Sequence, residues 1–264
     1  MGHKTKLNDK QVHLLKMMYK FRFVSSSVLA GYKGVRVSAI NKSLNILVDH
    51  GYIARNYRKD YRILGKGASF YLKPKGLTYL RDNFKLNEKV LHAMYKNNSV
   101  GQAFIDHNLA VLSVYLALRN SYPDTFHIFT KTELADYNYF PVPLPDLYLN
   151  RIKPLSNNQN EFIVEVLTDS QFYVAKKRFA CFLEHFDSGE WEAEVETSYP
   201  IILFVCPDSR IEKRLQNHIA NVLDGAGIDD LGIYTTTNRA LVGQKEANKA
   251  IWSSVYEPEK LISL

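Results

Sequence analysis

A chain of 264 residues with 46% hydrophobic and 12% aromatic content can fill one large core or two ordinary ones, and it excludes a disordered polymer. The net charge of +7 hides a division: residues 1–100 carry 20 Lys and Arg against 5 Asp and Glu, a formal +15, which leaves the rest of the chain at −8. The opening MGHKTKLNDK has no apolar leader core and no stretch approaches the length of a membrane span, so the chain reads as cytoplasmic, with no membrane among its partners.

A strongly basic module joined to an acidic one points the first toward a polyanion, since Lys and Arg that neutralise phosphates gain affinity by releasing condensed counterions. The two cysteines, Cys181 and Cys206, each lie inside an apolar run and read as small buried hydrophobes.

In chain order, Asn8 with Gln11 forms a capping box for a first helix, whose apolar face is Val12, Leu15, Met18 and Tyr19. Ser25, Ser26 and Ser27 offer a cap for a short second helix, and Gly31 and Gly34 break the chain after it. Ser38 is the expected cap of a third helix running to about His50, with Ile40, Leu44, Leu47 and Val48 on its apolar stripe. Asn41, Lys42 and Asn45 fall on the opposite side, and Gly51 suits the left-handed position that ends a helix. Strand-like YIARNYR and SFYL follow, separated by the polar stretch KDYRILGKGA, and Pro74 starts another helix.

Three helices and a basic hairpin resemble a winged helix-turn-helix, including the DHGYI turn into the wing. The resemblance implies double-stranded DNA as partner. It places Arg36, Ser38, Asn41, Lys42 and Asn45 in the major groove, and Arg55, Arg58, Lys59, Arg62 and Lys66 of the wing on phosphates or the minor groove.

Residues 84–100 read as a connector and a polar break. A long helix follows to about Asn120, then strands at TFHIFT, LPDLYLN and EFIVEVL, a helix over about 170–186, the strand PIILFVC, a helix from Asp208 to about Leu223 and the strand LGIYTTT. Strands alternating with helices after a meander predict a mixed sheet covered on both faces. The expected class is α/β, α+β overall, with a DNA-binding domain over residues 1–97 and a second domain over 98–264.

The order of elements in the second domain resembles the PD-(D/E)xK, restriction-endonuclease-like fold. Pro145-Asp146 opens one strand. Alternation in EFIVEVL puts Glu161, Ile163, Glu165 and Leu167 on one face, and an acid there is costly unless paired or ligating a cation. The resemblance makes Asp146 and Glu165 ligands of one Mg²⁺ or Mn²⁺, which would activate a water. Leu167 stands where the fold's lysine belongs. On the following helix, with Phe172 as reference, Lys176 shares the face of Phe179, Leu183 and Phe186, which makes it the migrated candidate, with Lys177 second.

Most of the chain also resembles the replication-relaxation family of plasmids and other mobile elements, related to one class of conjugative relaxases. The residues are DHNLAVLSVYLALRN with His107, TELADYNY with Glu133, PDLYL, and FIVEVLTDSQFYVAKKRF, in which Glu165-Val166-Leu167 and Asp169 replace an acid-x-acid pattern. The resemblance adds His107 to the site. It implies a protein that recognises a replication or transfer origin and nicks or processes DNA, alone or as a homodimer, with relaxosome or replication proteins as partners. The alternative, favoured by Leu167, is a catalytically inactive regulator of transcription or plasmid replication. None of the 17 tyrosines has flanking residues that single it out as a nucleophile.

Overall fold

The computed structural model describes residues 7–57, 61, 63, 65–155, 160–168, 172–244 and 246–264. They form two compact units, one ending at Leu112 and the other beginning at Ser113.

The first unit opens with α1 (Asp9–Phe21), held by the reciprocal bonds of the Asn8–Gln11 capping box, and buries Leu14, Leu15, Met17, Met18 and Phe21. Next come β1 (Val24–Ser25), α2 (Ser26–Lys33), α3 (Val37–Asp49), β2 (Ile53–Asn56), β3 (Ser69–Leu72) and α4 (Pro74–Asn83). β3 lies between β1 and β2 in a three-stranded antiparallel sheet. This is the winged helix-turn-helix arrangement, with the β2–β3 hairpin as its wing.

Local chemistry departs from expectation at three places. Gly31 sits inside α2, and Gly34 alone takes the left-handed conformation that ends it. The N-cap of α3 is Arg36, with no side-chain cap bond, so Ser38 lies within the first turn instead of capping it. The reason is the tight α2–α3 turn: the amide of Val35 bonds back to the carbonyl of Ala30, so α3 starts as soon as the chain leaves Gly34. Third, the stretch read as a connector holds a helix of its own, α5 (Glu88–Met94), capped by Asn87.

The long helix α6 (Gln102–Ser121) contains the boundary between the units. The second unit continues with β4 (Phe126–Thr130), α7 (Lys131–Leu134), β5 (Leu147–Arg151), β6 (Glu161–Val166), α8 (Phe172–Asp187) and α9 (Glu190–Val195). It ends with β7 (Ile201–Cys206), α10 (Ser209–Ala226), β8 (Ile233–Thr237), α11 (Asn238–Val242), β9 (Trp252–Ser254) and β10 (Leu261–Ile262). The seven strands lie side by side in chain order, with β6, β7 and β8 parallel and the other pairings antiparallel.

A strand buried on both faces needs a continuous apolar run, which β7 supplies. Ile202, Phe204 and Cys206 join Ile163, Leu167 and Ile233 in a core with Ala175, Phe179 and Phe182 of α8 and Leu215, Ile219 and Leu223 of α10. The opposite residues Phe162, Val164, Val166, Leu203 and Val205 are buried as well. Among the described residues no helix is long and apolar enough to cross a membrane.

Candidate functional site

In the first unit, α2, its turn and α3 present one exposed face. Ile40, Leu44 and Leu47 anchor α3 in the core, while Arg36, Ser38, Lys42 and Asn45 are exposed and Asn41 is half-buried. A 3.6-residue period explains the division, since the anchors recur every three or four residues and leave the other side to solvent.

On the wing, Arg55 is exposed with its guanidinium 4.9 Å from the ring centre of Tyr57. The ammonium of Lys66 is 2.9 Å from the carboxylate of Asp106, so this residue reaches a neighbouring acid and not open solvent alone. Arg58, Lys59 and Arg62 lie outside the described residues.

In the second unit, strand register brings the two predicted acids together. Leu147 of β5 is paired with Val164 of β6, so Asp146 and Glu165 meet at the next position along the two strands. Asp146 is buried, and its Oδ2 accepts the amide of Val166 at 2.9 Å. Glu165 is buried too, and its Oε1 lies 2.8 Å from Nε of Arg178.

Arg178, from α8, donates a second bond to the carbonyl of Pro143 and lies 4.4 Å over the ring of Phe182. Among the described residues, Oε2 of Glu165 and Nη2 of Arg178 are buried without a hydrogen-bond partner. Burial, and then the Asp146 carboxylate, push the Glu165 carboxyl up to about 7 against the opposite pull of Arg178 and Lys131. Burial therefore outweighs the arginine, and the Glu165 carboxyl is harder to ionise than an exposed one.

The lysines proposed from sequence are elsewhere. Lys176 and Lys177 are exposed on α8, and Lys176 lies close enough to His218 to join burial in lowering its pKa. The buried stripe of α8 is Ala175, Arg178, Phe179, Phe182 and His185, about a quarter-turn from the face centred on Phe172. Arg178 falls on that stripe at helical spacing from Ala175 and Phe182, and this was the readable signal for it. His107 is half-buried on α6 within the first unit. Glu133 closes a capping box at the start of α7, accepting from the amide and hydroxyl of Thr130. Asp169 lies outside the described residues. Burial pushes the Cys206 thiol up, consistent with an inert core residue.

Two acids with an unpartnered buried oxygen suit a single hard cation, the remaining ligands being water. Among the described residues no group of three or more His, Cys, Asp or Glu side chains is placed to hold a metal ion. No curated protein and no solved structure matches this chain. The model of the replication-relaxation family matches residues 15–196, a span that takes in the exposed face of α3, the wing, both acids and Arg178. A match over that much of the sequence gives the chain a replication-related role and shows that it belongs to the replication-relaxation family.

Proposed function

We propose that this protein binds duplex DNA at a replication or transfer origin through α3 and the wing. The observation that carries the reading is the exposed face of α3, where Arg36, Ser38, Lys42 and Asn45 project from a helix anchored by Ile40, Leu44 and Leu47. A helix about 10–12 Å across fits a major groove about 12 Å wide. The +15 of residues 1–100 supplies the counterion-release term.

The test is binding of the full chain to a duplex that it selects from a random pool. Lys42→Ala should weaken binding to every duplex and lower the slope of log K against log salt by about one. An unchanged slope would remove Lys42 from the phosphate contacts, and failure to retain any duplex would sink the DNA reading.

A second reading rests on the unpartnered Oε2 of Glu165 beside Asp146. These two acids would hold one Mg²⁺ or Mn²⁺, which when bound would supply an activated water for phosphodiester hydrolysis. Arg178 would hold Oε1 of Glu165 in place and leave Oε2 toward the cation. Leu167 leaves no lysine two residues after Glu165, and the basic group in contact with Glu165 is Arg178. Calorimetric titration with Mn²⁺ should give one site in the native chain and none in Asp146→Asn, with nicking of supercoiled plasmid following the same pattern. Absence of Mn²⁺ binding would leave the second unit as a non-cleaving platform and favour the regulator.

A further inference from the structure

The surface of α3 holds apolar side chains that its packing does not use. Val35 in the turn is 44% exposed and Val37, the first residue of the helix, is 43% exposed. Ala39 is exposed one turn before Ser43, and Ile46 further along is 37% exposed. The core of the unit is already met by Ile40, Leu44 and Leu47, which are at most 7% exposed. An exposed β-branched residue at the start of a helix gains nothing in helix propensity over Ala. One exposed valine is ordinary, but here Val35 and Val37 flank Arg36 at the end of α3 that meets base edges in a helix-turn-helix.

In the major groove, only thymine among the four bases presents a methyl group, and small apolar side chains are its natural contact. We propose that Val37, with Val35 in the turn before it, reads thymine C5-methyl groups, so that the preferred site carries thymine where the start of α3 enters the groove. The flanking Arg36 and Lys42 supply the charge that brings the duplex to this face, and the apolar residues supply base preference. The inference rests on the DNA-binding reading above.

The test replaces thymidine by deoxyuridine, one position at a time, in the duplex that the full chain selects from a random pool. Deoxyuridine removes the methyl group and leaves every hydrogen-bonding atom of the base. At one or two positions the native chain should bind the deoxyuridine duplex about fourfold more weakly, the effect of one lost methyl contact. Val37→Ala should erase the difference at one of those positions, and Val37→Thr, which keeps a methyl group there, should restore part of it. Equal binding of thymidine and deoxyuridine at every position would overturn the inference and leave DNA binding intact. Failure of the native chain to bind any duplex would instead overturn the reading on which it rests. The substitution is in the DNA, so the result does not depend on a variant folding.

Discussion

Arg178 ties three parts of the second unit together, since its guanidinium meets Glu165 of β6, the carbonyl of Pro143 before β5, and the ring of Phe182 on its own helix. Even so, Glu165 keeps a raised proton affinity, because burial and Asp146 outweigh Arg178 and Lys131. The consequence for stability has a definite sign. Between the ordinary value of 4.5 and about 7, the folded protein holds a proton that the unfolded chain releases. The stabilisation is full below 4.5 and lost as pH rises through about 7. Thermal melts across that window should show the native chain losing stability with rising pH more steeply than Glu165→Gln, and parallel slopes would contradict the assignment. The position of Glu165 was legible in the sequence, because strand alternation has a period of two and tolerates no phase error. The partner of Glu165 was not legible. A helix wheel must be phased, and anchoring α8 on Phe172 turned it by about a quarter-turn, which brought Lys176 inward and left Arg178 out.

The elements of the first unit are set largely by local chemistry. Asn8 with Gln11 caps α1, Ser25 caps α2, Gly34 ends it, and Pro74 begins α4. Gly76 shows where packing takes over. A methyl group at this helical position would lie 2.3 Å from the carbonyl oxygen of Tyr52 and 3.1 Å from a methyl of Leu72. In an exposed helix, Gly→Ala stabilises by roughly 1 kcal/mol. Here the obstacle is backbone, so Gly76→Ala should reverse that sign and destabilise by about 1–3 kcal/mol, read from the midpoint of denaturant unfolding. A stabilised variant would mean that α4 can move away from Tyr52 at little cost. The short helices α7, α9 and α11 span four to six residues and carry too little periodicity to be seen in advance. The short strands β9 and β10, of three and two residues, exist through pairing alone.

Across the whole molecule, the charge division has a structural counterpart. The +15 of residues 1–100 falls wholly within the first unit, while Asp146 and Glu165 belong to the unit with a formal excess of acid. Salt should therefore weaken DNA binding through the first unit, so the slope change expected for Lys42→Ala has no equivalent at Asp146→Asn. Composition, capping residues and the period of apolar positions were enough to order the longer helices and the central strands, to predict the mixed sheet and to pick the strand face that bears Glu165, and the order of helices and hairpin carried the resemblance to a winged helix-turn-helix. Those properties depend on neighbours within a few residues along the chain. Folding in three dimensions decided which cation meets Glu165, that Lys66 pairs with Asp106, and that Val35 and Val37 stay at the surface. Each of these depends on residues distant in sequence, whose approach is set by strand register and helix rotation.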